Sequence, residues 1–563
     1  MRSLILSILM CGVIAQSTVA QEAPLGMIPA SAAVVIRLQA PETAAGDLRA
    51  FLNKVQPGIG DLAGAQLPSA LGQMISNPAL AGVDQSRDWY FAVFVDGLGP
   101  PENVLLLPAA DVAELKKAMG PEYEFVEKDG WLACSTEDRY HDAFEQCVSG
   151  AVESIAARID ERTTSALMSG HLGVVVNAAV LRESFAEELD SAEERLEGLI
   201  QIIAQQLRNA SPGMDMDYVF DIYRDAGKFL LQGVRDSTSM ALSVKVTDST
   251  LQIEHLLSVT ADTATDAFFQ TQPVNDLARL TTVPEGMAGY VAIHGNPLVL
   301  LDWSERLVSR MLSDEEQQEK MAKSIAIMRQ AKFGAIAGGG DLLPDKDPAL
   351  RYYAVSEISP PSVMAETMQL FATGIDYDIA GIQVSSTLQT DAESIDGQSI
   401  SIFQMEQTIP PELDPTGMQK ALNEKLYGTD GIVQRIALKD DLVLQTMGGG
   451  TESMKRLLTS TGWSDPKLLE ARARQHEQAN LLILVDVPNS VLKFAKLILG
   501  TGAVPVPVQP EQLDDLVISP SYAGFSLAVE KQRLSARTSI PLETFQGFVQ
   551  IGQFIQQLTG QAR

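Results

Sequence analysis

Histidine, cysteine and carboxylate are the side chains with which this chain could do chemistry, and their spacing is the first thing to weigh. The five histidines, His141, His171, His255, His294 and His476, lie far apart, and none belongs to an HExxH motif or an i, i+4 pair. A zinc site or a nucleophile–histidine–acid triad needs partners around the imidazole, and no local motif supplies them. His255 and His294 sit in alternating apolar and polar runs, where a strand residue is expected. No GxSxG elbow or phosphate-binding P-loop occurs, and a triad assembled in space needs no local motif. Two acidic clusters, Asp215, Asp217, Asp221 and Asp341, Asp345, Asp347, lack the twelve-residue EF-hand spacing with its closing Glu. The 72 acidic residues then read as solvated surface that attracts divalent cations weakly. No catalytic, cofactor-binding or metal-ligating residue is singled out, and no cofactor is expected.

Two glycine runs could present backbone N–H groups. Gly448-Gly449-Gly450 precedes Thr451 and a helix expected over 452–458. A helix N-terminus opened by such a turn can hold an anion. A plain strand-to-helix turn is the simpler reading, since Thr136-Glu137-Asp138 at the matching place earlier in the chain would repel one. Gly338-Gly339-Gly340-Asp341 reads as a mobile loop.

The elements that must position these groups repeat. Ile28-Pro29 and Val283-Pro284 each open a turn, an apolar strand and a second turn at Pro41 or Pro297. A helix follows, with stripes at Leu48, Phe51, Leu52, Val55 and at Leu300, Trp303, Leu307. WYFAV from Trp89 matches RYYAV from Arg351. EFVEKDGWLAC and RIALKDDLVLQ both read as hairpins turning at Lys128-Asp129 and Lys439-Asp440. The separation of 311 positions there recurs between Leu181 and Leu492, as if no gap intervened. Paired alternating strands near Met240 and Phe525 close each repeat. The expected fold is α+β, in two diverged tandem copies, Gln21–Thr282 and Val283–Arg563, each an antiparallel sheet of hairpins under long amphipathic helices. The second copy carries an extra hairpin near 384–407, turning at Asp396-Gly397. Helix starts are expected from a capping box at Ser191 and Glu194 and from Asp414-Pro415.

Composition bounds the function. With Lys+Arg 42 against Asp+Glu 72, the net charge is −30. Such a surface lacks the clustered cations that nucleic acid or anionic lipid requires. Three cysteines are too few for a disulfide scaffold. A cationic start (Met1-Arg2-Ser3), the apolar run Leu4–Ala15 and small residues up to Ala20 form a signal peptide over residues 1–20. Bulky Met10 before Cys11 does not suit lipidation. No later run could span a membrane; Lys493 and Lys496 break the best candidate, 491–508. Export to the periplasm or beyond puts Cys134 and Cys147 in an oxidising compartment. A disulfide between them is expected, with two buried free thiols as the alternative.

The leader, the IPASAAVVIRL opening at Ile28, the LLLP–helix–KDG unit (Leu105 to Cys134) and its later echo together resemble large secreted bacterial proteins of an uncharacterised domain family. The resemblance implies tandem α+β units outside the cytoplasm and no catalytic residues. The reading is an exported, soluble, non-catalytic protein with a binding or envelope-organising role and a protein or small-molecule partner. A secreted hydrolase with spatially assembled carboxylates and a carrier of an apolar ligand are the alternatives.

Overall fold

The computed structural model describes residues 24–97, 99–210, 217–299, 301–302, 304–305, 315–371, 375–379, 382–412, 414–501 and 510–561. The expected leader, Cys11 and the Leu300, Trp303, Leu307 stripe lie outside them. The chain forms two compact units: residues 1–193, 230–266 and 532–535 in the first, and 194–229, 267–531 and 536–563 in the second. Both are α+β with antiparallel sheets.

In the first unit the strands are β1 (Val34–Leu38), β2 (Trp89–Phe94), β3 (Glu102–Pro108), β4 (Glu124–Lys128), β5 (Trp131–Ser135), β6 (Leu172–Asn177), β7 (Ser237–Val246) and β8 (Thr250–Val259). They lie in the order β4-β5-β3-β2-β1-β6-β7-β8. Helices cover both faces of β2, β3 and β5, so these strands are apolar throughout rather than alternating. Phe144 of the helix Asp138–Ser149 and Leu167 of the helix Glu161–Ser169 pack with Tyr90, Leu106, Trp131 and Ala133. Leu115 and Met119 of the helix Val112–Met119 pack with Trp89, Leu107, Leu132 and Cys134. β1 carries a buried charge, Arg37, 2% exposed. Its guanidinium meets Asp88 at 2.7 Å and donates to the carbonyls of Met168 (3.1 Å) and Gly170 (2.9 Å). These are the open carbonyls at the C-terminal end of the helix Glu161–Ser169, which Arg37 thereby fastens to the sheet.

In the second unit the strands are β9 (Gly289–Ile293), β10 (Lys332–Leu342), β11 (Leu350–Ser359), β12 (Ile375–Ile379), β13 (Ile382–Ile395), β14 (Gln398–Thr408), β15 (Ile432–Lys439), β16 (Leu442–Met447), β17 (Leu481–Asp486) and β18 (Tyr522–Glu530), with β19 (Arg533–Pro541) next in the chain. The order is β12-β13-β14-β15-β16-β11-β10-β9-β17-β18. The run from β15 to β18 repeats the order of β4 to β7. Register agrees as well. Cys134, Leu105, Phe91, Ile36, Val174 and Leu242 face one another across the first sheet. Gln445, Ala354, Gly338, Val291, Ile483 and Phe525 do so in the second. The hairpin turns place Asp129 and Asp440 alike, at φ 49° and 53°, in the left-handed region that Asp tolerates better than most residues.

The topology corrects three sequence readings. Gly338–Gly340 is not a loop but the middle of β10. A Cβ on Gly339 would stand 2.7 Å from Val283 Cγ1 and 3.2 Å from Tyr290 Cδ1, so the aromatic core occupies the space a side chain would need. β10 therefore holds the place of β2, and the RYYAV strand β11 corresponds to β3, not to WYFAV. The separation of 311 also does not persist: the registers set Asn177 against Asp486, 309 apart, because the connection after the second hairpin is two residues shorter. The extra hairpin is present as β13 and β14, turning at Asp396 (φ 49°) and Gly397 (φ 83°), and β12 enlarges it.

Helix starts differ in detail. Ser191 Oγ donates back to the carbonyl of Glu188 (3.2 Å), inside the turn before the helix Ala192–Ala210. Asp414 accepts from the N–H groups of Gln419 (3.2 Å) and Lys420 (2.9 Å), so it caps the helix Met418–Tyr427 from outside its first turn, with Gly417 at the boundary.

Candidate functional site

Two cavities stand out in the second unit. One, of about 310 Å³, is bordered by Asp347, Tyr427, Arg435 and the turn Gly448–Gly450. The other, of about 260 Å³, is bordered by Glu406, Gln407, Lys420, Asn423 and Tyr427. Charged groups rim both. All three turn glycines have φ between 58° and 73°. A Cβ on Gly448 would meet the carbonyl oxygen of Leu350 at 2.0 Å, and one on Gly449 would crowd Arg351 Nε at 3.0 Å. Close packing thus explains two of the three, in line with a strand-to-helix turn leading into the helix Gly450–Leu458. The nearest cation along the rim, Arg435, is held by Glu393 in a two-pronged pair (2.9 and 3.0 Å). That pair keeps the Glu393 carboxyl below its ordinary range.

The histidines fall in separate surroundings. His476 Nδ1 lies 2.8 Å from Ser526 Oγ, the contact a hydrolytic pair would need. Ser526 is 0% exposed, and its hydroxyl donates to Gln475 Oε1 (3.1 Å), while Gln475 Nε2 reaches Ser539 (2.5 Å). This is a satisfied interior network that no substrate reaches. His171 bridges Asp47 (2.9 Å) and the N–H of Val246 (3.0 Å). His255 is exposed on β8, and His294 follows β9, its Nδ1 buried without a partner. His141 alone stands among carboxylates, with Nδ1 3.6 Å from Glu124 and 3.7 Å from Asp142.

The acidic clusters read from sequence do not assemble. Asp341 turns inward to Lys493 (2.5 Å), Asp345 and Asp347 stay exposed, and Asp221 pairs with Arg224. Asp215 and the side chain of Asp217 lie outside the described residues. Asp486, which sequence reasoning passed over, is 4% exposed. Its Oδ2 accepts from Asn489 (2.8 Å) but its Oδ1 has no partner, and burial pushes the carboxyl up. A carboxyl raised in the folded state binds its proton more tightly there than in the unfolded chain. Stability must therefore fall as pH climbs from the ordinary carboxylate range through the raised value. The matching position in the first unit is Asn177. Asp486→Asn, which removes the buried charge, should accordingly stabilise the protein at neutral pH and flatten stability against pH. Urea titrations of both proteins between pH 4 and 8 check this, and an unchanged pH slope contradicts it.

Cys134 and Cys147 are both free and buried, against the expected disulfide. Alternation along β5 explains it. Trp131 and Ala133 face the helix that carries Cys147, whereas Leu132 and Cys134 face the opposite side, among Leu107 and Leu115. The sheet stands between the two sulfurs. Cys147 Sγ instead donates to the carbonyl of Gly26 (3.5 Å), and burial pushes the Cys134 thiol up to about 12.

A further feature without an interior role is apolar. The helices Ala192–Ala210 and Asp217–Asp236 pack through Leu196, Ile200, Ala204 and Phe220, with Arg224 tied to Glu197 (2.6 Å). Their other side shows Leu199 (58% exposed), Ile202, Ile203 and Tyr223 (62%) to solvent. No family model matches the chain. No curated protein matches it either. Among solved structures, "Structure of crystal form III of TP0453" is similar at 10% identity and a TM-score of 0.22, over 48% of this chain and 97% of that one. So slight a likeness carries no argument. The site must be read from its own residues: buried polar groups committed to the interior, charged cavity rims, and a helical face with apolar side chains left outside. No helix among the described residues is long and apolar enough to cross a membrane.

Proposed function

We propose that the chain is an exported, non-catalytic binding protein, with a binding or envelope-organising role, built from two diverged copies of one α+β unit. The common strand order and register of β4–β7 and β15–β18 support the duplication, and the sequence of residues 1–20 supports export. The observation that carries the function is the exposed row Leu199, Ile202, Ile203 and Tyr223. Exposed apolar surface of this kind marks interaction sites, and Leu199, Ile202 and Ile203, spaced i, i+3, i+4, share one face of their helix. The partner it fits is a protein segment with an apolar face of its own. Charged rims on both cavities disfavour an apolar ligand, which would strip water from those charges without pairing them.

The test has two arms. A photo-crosslinking residue at Gln206, one turn along the same face, should give a discrete adduct in the native envelope. The double change Leu199→Glu, Ile203→Glu should weaken that adduct at least tenfold, since each apolar side chain buried is worth about 1.5–3 kcal/mol. The purified protein should show no turnover of ester, peptide, glycoside or phosphate substrates with or without metals. Turnover abolished by changing one carboxylate would replace this reading with the hydrolase.

A further inference from the structure

We propose that His141, Asp142 and Glu145, with Glu124 beside the imidazole, form a surface site for a divalent cation of the zinc, cobalt or manganese class, which accepts mixed nitrogen and oxygen ligands. Ligand atoms of His141, Asp142 and Glu145 all lie within 4.8 Å of one another. Glu124 comes from a separate element, the strand β4, and brings its carboxylate 3.6 Å from His141 Nδ1. The helix Asp138–Ser149 is fixed from behind by buried Tyr140, Phe144 and Cys147. His141 and Glu145, four apart, therefore present side chains on one face, beside β4.

The charge around the cluster is unbalanced in a way its surroundings are not. Asp96, Glu127 and Glu153 each meet Arg139, Lys116 or Arg158 within 3.1 Å. Among the described residues, no Lys or Arg forms an ion pair with Glu124, Asp142 or Glu145. Two carboxylates and one imidazole thus converge, with the Glu124 carboxylate next to the imidazole and no Lys or Arg among the described residues paired to any of the three carboxylates. A metal ion supplies that charge and takes the imidazole nitrogen as a ligand. One nitrogen and two carboxylates leave room for water on the ion, as an open rather than a closed site does. The imidazole distinguishes this cluster from the rest of the acidic surface: magnesium and calcium prefer oxygen alone, whereas cobalt and zinc gain from His141. The site does not depend on the binding role proposed above.

Titrating the full chain with cobalt(II), followed by calorimetry and by the visible spectrum of the ion, tests it. One ion should bind per chain, more weakly as pH falls through the imidazole range, because ligand and proton compete. His141→Gln should weaken cobalt and zinc at least tenfold while leaving magnesium almost unchanged, and Glu124→Gln should weaken cobalt in the same direction. Both positions are at the surface, so equal metal-free melting temperatures will verify folding. Cobalt affinity that neither substitution alters, or that shows no dependence on pH between 5 and 8, would overturn the site and leave only diffuse attraction to an acidic surface.

Discussion

Arg37→Met should lower the stability of the first unit by about 3–5 kcal/mol, the usual cost of breaking a buried ion pair from one side. Met matches the length of the stem but leaves Asp88 without its cation and the carbonyls of Met168 and Gly170 without a donor. The Ala40 N–H, 3.0 Å from Asp88 Oδ1, cannot neutralise that carboxylate. Arg37→Lys keeps the charge but not the fork that spans several acceptors, so an intermediate loss is expected. Urea unfolding followed by fluorescence of Trp89 and Trp131, both buried in this unit, provides the measurement. A midpoint shift equivalent to less than about 1 kcal/mol, with the slope unchanged, would mean that Arg37 is not what fastens the helix.

A second large effect is expected at Gly173 on β6. A Cβ there would lie 2.0 Å from the carbonyl oxygen of Leu167 and 2.8 Å from its carbon, and backbone cannot swing aside as a flexible side chain does. Gly173→Ala must push the helix Glu161–Ser169 away from the sheet, at a cost of about 3 kcal/mol. Gly198→Ala is the contrast: that position has open space around it on the helix Ala192–Ala210, so the change should stabilise by about 0.5–1 kcal/mol. Because Gly173 and Arg37 position the same helix end, their combined effect should be less than additive. Equal effects of the two alanine substitutions would show that the close approach at Gly173 does not constrain the fold.

Local chemistry made part of this architecture legible. The turns at Asp129-Gly130, Asp440-Asp441 and Asp396-Gly397 announce hairpins because few side chains tolerate their backbone angles, and all three are present. The amphipathic helix around Phe51 also follows from period alone. What failed was judging an element by composition. Gly338–Gly340 reads as a loop because glycine disfavours strands; only the packed Val283 and Tyr290 reveal why glycine is needed there. Once β10 was missed, the next aromatic strand was matched to β2 in its place. The Cys134–Cys147 expectation failed on parity: sequence proximity says nothing about which side of a strand a thiol faces. His141 carried a usable signal, an acid at i+4, but a search for histidine pairs passes over it. Glu124, on another element, had none.

The three strands β12–β14 lie where a sheet can most easily accommodate extra length, outside β15 at its border. A sheet's interior strands are held on both sides, so an insertion among them must re-register neighbours in two directions. Its border is held on one side only. In the second unit the added strands continue outward from β15, and the pairing from β15 inward is the pairing found from β4 inward. In the first unit that border ends at β4, five residues long and bearing Glu124, Glu127 and Lys128, charges that discourage a stray strand from joining. The two borders thus differ, one closed by a short charged strand and the other carrying three further strands, while the pairing inward from each is the same.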